Sequence, residues 1–252
     1  MRPNTIRALK SMRQPIVNAW LSIGSGYAAE TIASQGFDSA TVDCQHGMIG
    51  FEMAVAMLQS ISTTTAIPLV RPSGLVAGEI MRYLDAGAYG VICPMISNVH
   101  DAEALVAACR YPPHGNRSYG PARGLLYGGA DYLDGANAEI LVLAMIETRE
   151  GLDNVDAILA VEGLDGIYVG PNDLSLALGY RPANESTVPA VIGAIEEVRS
   201  KTVAAGKIAG IFCSNGQAAA ARIVQGFDLV TPGNDAALLR DAMRVAVDMC
   251  RQ

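Results

Sequence analysis

Short apolar runs recur along the chain, each followed by a longer amphipathic stretch. The runs fall at 16–23 (IVNAWLSI), 39–43 (SATVD), 67–71 (IPLVR), 89–95 (YGVICPM), 140–146 (ILVLAMI), 165–169 (DGIYV), 208–213 (IAGIFC) and 227–231 (FDLVT), and they read as strands. Between them, a stretch near 26–35 ending at Gly36 and segments such as FEMAVAMLQS, AGEIMRYLDAG and VPAVIGAIEEVRSKTVAAG read as helices, several closed by a glycine in the C-capping place. Eight strand–helix pairs in 252 residues predict an α/β chain folded as a single (β/α)8 TIM barrel over residues 1–252, with the last helix (DAALLRDAMRVAVDMC) expected in oligomer contacts. An open doubly wound sheet usually has fewer strands. The stretch 111–137 is too long for a plain connector and is expected to be a functional loop.

Composition narrows the classes of function. Half of the residues are apolar and 17% are charged, enough for a large core and against disorder. A net charge of −7 without any basic cluster argues against nucleic acid as a partner. Mean hydropathy is +0.25, yet no long apolar run free of charged or turn residues predicts a membrane span, and Met1 to Pro15 does not read as a secretory signal. The five cysteines are scattered, with no C-x-x-C pair, which points to reduced thiols in the cytoplasm.

In a (β/α)8 barrel the chemistry sits on loops that follow the strands' C-terminal ends. Asp43 closes the second predicted strand with His46 three residues on, Arg71 closes the third, Glu147 the fifth, and Asp173 follows the sixth through Gly170-Pro171-Asn172. Each has a plain structural reading when taken singly: a carboxylate there often caps the next helix, and Arg71 before Pro72 could be a surface charge with a buried stem. Convergence on one rim raises them together. Glu147 and Asp173 supply two hard oxygen ligands suited to Mg2+, Mn2+ or Co2+. Arg71 offers a planar donor fork, and His46 is a candidate base whose tautomer Asp43 is expected to fix. A Schiff-base lysine is disfavoured, because Lys10, Lys201 and Lys207 all lie away from the C-terminal ends of strands.

The strings DCQHG, VRP, LDAGAYGVICPM, YPPHGNR, MIET and DGIYVGPNDLS, spread from about residue 14 to the C-terminus, resemble the HpcH/HpaI aldolase family. The resemblance implies a barrel enzyme that cleaves a 4-hydroxy-2-oxo acid to a 2-oxo acid and an aldehyde. It implies a divalent metal at Glu147 and Asp173, an Asp–His dyad at Asp43 and His46, and a substrate-binding Arg71. Backbone amides around Asn172 and Asp173 are implied to hold the substrate carboxylate, with Gly170, Pro171 and Asn172 as substrate-binding residues and Trp20 lining the pocket. Asp85 is implied near a subunit contact of a homo-oligomer, a hexamer (trimer of dimers) or trimer. An acyl-CoA lyase of the citrate lyase beta or malyl-CoA lyase type and a non-catalytic oxo-acid binder are the alternatives on the same scaffold.

Overall fold

The computed structural model describes residues 1–251. Eight parallel strands close into a barrel in chain order: β1 (Ile16–Leu21), β2 (Ser39–Asp43), β3 (Ile67–Arg71), β4 (Gly90–Cys93), β5 (Leu141–Ile146), β6 (Gly166–Val169), β7 (Ile208–Cys213) and β8 (Leu229–Pro232), with β8 pairing back onto β1. Strands in such a sheet are covered on both faces, so they read as nearly continuous apolar runs rather than alternating ones. In β5 every residue of LVLAMI is buried.

Helices cover the outside: α2 (Gly26–Ala33), α3 (Phe51–Ile61), α4 (Ala77–Asp85), α5 (Val99–Cys109), α8 (Arg149–Asp153), α9 (Val155–Leu159), α10 (Pro171–Ala177), α11 (Pro189–Ala204) and α12 (Gly216–Val224). The long stretch at 111–137 is not a loop throughout. It contains α6 (Ala122–Gly128) and most of α7 (Tyr132–Glu139), and its Arg117 is buried among Tyr111, Tyr132 and Asp85.

The basic N-terminal segment forms α1 (Thr5–Ser11), which lies against the end of the barrel where the strands begin. Ile6 is fully buried there, Arg7 Nη1 donates to Asp165 Oδ1 at 2.8 Å, and Lys10 Nζ donates to Asp228 Oδ2 at 2.7 Å. Those aspartates precede β6 and β8 and also accept the backbone N–H groups of Val142 and Ala209. The basic residues of this segment therefore act as tethers to strand starts.

The last helix, α13 (Asp235–Cys250), behaves differently from the others. Of its sixteen residues only Asp235 is buried, and Leu239, Met243 and Val247 are 49%, 58% and 44% exposed. No helix among the described residues is long and apolar enough to cross a membrane.

Candidate active site

Asp43 and Arg71 end neighbouring strands and stand opposite each other in the β2–β3 register, so their side chains leave the barrel at the same height. Arg71 closes a two-point fork on the carboxylate, Nε to Oδ1 at 2.8 Å and Nη2 to Oδ2 at 2.6 Å. The backbone N–H groups of Gln45 and His46 donate to Oδ1 at 3.1 and 3.2 Å, and Trp20 Nε1 donates to Oδ2 at 3.1 Å. Trp20 lies with its ring centroid 4.8 Å from the guanidinium carbon and stacks on Tyr168 at 5.5 Å. Burial pushes the Asp43 carboxyl upward, but the hydrogen bonds and charge of Arg71, helped by His46 N–H and Trp20, outweigh it and hold Asp43 below the usual carboxylate range.

This geometry corrects one expectation. Asp43 was expected to orient the His46 ring, and its carboxylate is instead filled by the Arg71 fork, two turn amides and an indole. Only the backbone of His46 bonds to it. The turn itself is tight: a Cβ on Gly47 would lie 2.3 Å from the Asp43 carbonyl oxygen, so glycine is required for the chain to bring His46 to the mouth in this way.

Across the mouth, Glu147 is 3% exposed at the end of β5, and the Met95 backbone N–H donates to its Oε1 at 2.8 Å. Met95 holds that position with φ of +60°, a left-handed conformation that costs a non-glycine residue about 1–2 kcal/mol. Burial raises the pKa of Glu147, the Met95 hydrogen bond opposes this, and the negative charge of Asp173 raises it further. A Cβ on Gly170 would sit 2.4 Å from Glu147 Oε2, so a larger residue there would displace the carboxylate. Asp173 lies exposed in the first turn of α10, behind Pro171 at its first position.

One cavity of about 310 Å³ is lined by Trp20, Asp43, His46, Arg71, Glu147, Gly170, Pro171, Asn172 and Asp173, together with Ser22, Met145, Tyr168, Asn184, Phe212 and Asn234. The fold thus gathers all of the sequence-predicted site residues except Asp85, which sits at the end of α4 and pairs with Arg117 Nη2 at 2.8 Å. A groove of about 400 Å³ between α5 and α9 holds Glu103, His114 and Glu162 but none of the converging groups. Asn184, Phe212 and Asn234 escaped the sequence reading. Phe212 sits inside an apolar strand run, and nothing local marks Asn184, in the irregular stretch after α10, as a cavity residue.

Among the described residues, no three His, Cys, Asp or Glu side chains form a closed metal cage. The pair Glu147 and Asp173 still fits a divalent cation. Both carboxylates open on the cavity, the charge of exposed Asp173 is near enough to raise the pKa of buried Glu147, and among the described residues Glu147 receives one hydrogen bond, on Oε1 alone. Hard oxygens suit Mg2+, Mn2+ or Co2+. The thiols near the mouth do not compete: burial pushes Cys44 up to about 11 and Cys213 up to about 12, so both stay protonated at neutral pH.

A parallel barrel with an acid pair, an anchored arginine and a histidine on one mouth defines an enzyme scaffold. The profile of the HpcH/HpaI aldolase/citrate lyase family matches residues 17–242. The chain is 41% identical to the hydroxypyruvate/pyruvate aldolase of Rhizorhabdus wittichii over 97% of each protein. It is 37% identical to the 4-hydroxy-2-oxo-heptane-1,7-dioate aldolase of Shigella flexneri, over 95% of this chain and 90% of that protein. A crystal structure of an HpcH/HpaI aldolase/citrate lyase family protein from Burkholderia cenocepacia superposes with a TM-score of 0.92 at 31% identity, covering 98% of each chain. The chain belongs to the HpcH/HpaI aldolase/citrate lyase family.

Proposed function

We propose that this protein is a metal-dependent aldolase that reversibly cleaves a 4-hydroxy-2-oxo acid into pyruvate, or a close 2-oxo acid, and an aldehyde. That it is an aldolase, a carbon–carbon lyase, rests on the family and on relatives 37–41% identical over nearly the whole chain. The observation that carries the finer reading is the single cavity into which Glu147, Asp173, Arg71 and His46 all converge.

Glu147 and Asp173 would hold a divalent ion, which when bound would supply Lewis-acid polarisation of the 2-oxo group. The substrate carboxylate lies beside Gly170 and Pro171, toward the backbone amides of Asn172 and Asp173, which as first-turn amides of α10 have no partner within the helix. Arg71, held by Asp43 and stacked on Trp20, has no hydrogen-bond partner for Nη1 among the described residues and presents it to the negative charge that develops on the oxo acid. His46 takes the proton from the C4 hydroxyl as the C3–C4 bond breaks. The bonding pair passes to the oxo acid as its enolate, C4 leaves as the aldehyde, and protonation at C3 completes pyruvate. Asp43 is in this scheme a positioning residue for Arg71.

The protein is proposed to work as one barrel domain in the cytoplasm, where its five free cysteines remain reduced. The proposed assembly is a homo-oligomer, a hexamer (trimer of dimers) or trimer. Its support is α13, whose apolar stripe of Leu239, Met243 and Val247 is left uncovered by its own barrel. Asp85 remains the proposed subunit-contact residue, its side chain one quarter exposed beside Arg117. The deciding experiment is pyruvate release from a panel of 4-hydroxy-2-oxo acids, with EDTA and after Mn2+ is restored. Metal-restored release supports the reading, and no release from any substrate under either condition ends it.

A further inference from the structure

The inward-facing side chains of a (β/α)8 barrel are mostly branched and apolar. Below this cavity they are not. Asn18 of β1, Ser39 and Thr41 of β2, Tyr168 of β6 and Thr231 of β8 are all fully buried. Ser39 Oγ and Thr41 Oγ1 donate to Asn18 Oδ1 at 2.8 and 3.0 Å, and Asn18 Nδ2 donates to Thr231 Oγ1 at 3.0 Å. The Tyr168 hydroxyl donates to the same Thr231 oxygen at 2.7 Å. A hydroxyl oxygen has two lone pairs, so Thr231 accepts both donors. Buried polar groups paired in this way hold one arrangement of their side chains.

The phenol is the end of this network that reaches the site. Tyr168 and Trp20 both line the cavity, and their rings stack at 5.5 Å with 27° between the planes. Trp20 in turn lies 4.8 Å from the Arg71 guanidinium carbon and donates Nε1–H to Asp43 Oδ2, while Phe212 packs edge to face against the indole at 5.6 Å. Room for the phenol is kept on β7. A Cβ on Gly210, the register partner of Tyr168, would come within 2.7 Å of the Tyr168 ring. The anchored hydroxyl, the glycine beside the ring and the stacked indole together leave the ring one position.

We propose that Tyr168 is a positioning residue for the reaction, anchored by its hydroxyl on Thr231 and acting through the Trp20 ring to hold Arg71 where charge develops on the oxo acid. This rests on the aldolase reading above and deepens it. Asp43 holds the guanidinium by one edge, at Nε and Nη2, and the indole holds it by a face. Edge and face together set the direction of Nη1. A donor already aimed at the developing charge stabilises it without reorganising as the bond breaks. A bare phenyl ring would stack on Trp20 as well but would have no anchor below it.

The test compares Tyr168→Leu, Thr231→Val and Thr231→Ser in the Mn2+-loaded full-length protein. It reads pyruvate release from a 4-hydroxy-2-oxo acid and the emission of Trp20, the only tryptophan. Each variant is assayed well below its own Tm, which separates loss of rate from loss of fold. Tyr168→Leu is expected to lower kcat about 10-fold with KM within about 2-fold, the pattern of an interaction made in the transition state alone. Thr231→Val leaves the ring but orphans its hydroxyl, and is expected to lower kcat by about 3-fold to 10-fold and to shift Trp20 emission. Thr231→Ser keeps the anchoring oxygen and is expected to match wild type in both. Tyr168→Phe removes the hydroxyl alone and takes the place of Thr231→Val where that variant does not fold. A kcat within about 2-fold of wild type in Tyr168→Leu or in the anchor variant, or a loss carried by KM, overturns the inference. So does a Thr231→Ser as impaired as Thr231→Val. In each of these cases wild-type turnover keeps the aldolase reading intact, whereas no pyruvate release by wild type overturns both.

Discussion

Removing the Asp43 carboxylate isolates the contribution of the Arg71 fork. In Asp43→Ala the guanidinium, at 9% side-chain exposure, loses the partner of two hydrogen bonds, and Trp20 Nε1 and the Gln45 and His46 amides lose their acceptor as well. Breaking a buried pair by deleting one member costs about 3–5 kcal/mol, because the remaining charge is left uncompensated. For a chain of this size that corresponds to a fall in Tm of roughly 6–20 °C. Trp20 is the only tryptophan and stands at the pair itself, so its fluorescence reports both unfolding in urea and the local environment. The control is the double variant Asp43→Leu with Arg71→Met. It removes both charges and is expected to cost less than Asp43→Ala alone, since paired apolar replacement avoids the orphaned charge. A cost below about 1 kcal/mol for Asp43→Ala would refute the reasoning, as would a double variant whose cost equals the sum of the two single changes.

Three further outcomes follow from the same geometry. Glu147→Gln removes a buried carboxylate whose pKa is raised by burial and by Asp173, so the metal-free protein is expected to gain Tm at pH 7. The same variant is expected to lose the Mn2+ stabilisation of about 2.7 kcal/mol expected of wild type at ~100 times Kd, and calorimetric melting with and without Mn2+ checks both effects. Because the folded Asp43 pKa lies below its unfolded value of about 3.9, the stability from the Arg71 pair is complete above that pH and is lost as pH falls through the folded pKa. Acid titration of Asp43→Asn is therefore expected to lose the wild-type decline in that window, and an unchanged profile assigns the acid sensitivity elsewhere. Leu239→Glu with Met243→Glu places charge on the exposed stripe of α13 and is expected to lower the mass seen by light scattering, with unchanged mass arguing against an α13 contact between copies.

Much of the barrel was written locally. The apolar runs that became β1 to β8 are legible because strands buried on both faces need near-continuous hydrophobic sequence, and the polar residue that ends a run marks the catalytic face. That is why Asp43, Arg71, Glu147 and Asp173 could be picked out from position alone. Tertiary structure decided what those residues do to one another. The β2–β3 register set Arg71 against Asp43, so the aspartate that stood near His46 in sequence turned to the arginine, which offers two donors where an imidazole offers one. Closure of the barrel brought Trp20 from β1 and Phe212 from β7 to the same mouth, edge to face at 5.6 Å, and an irregular stretch with no periodic signal delivered Asn184. Period and composition encode which face of an element is buried; the partner across a gap depends on register and closure, which arise only when distant segments pack.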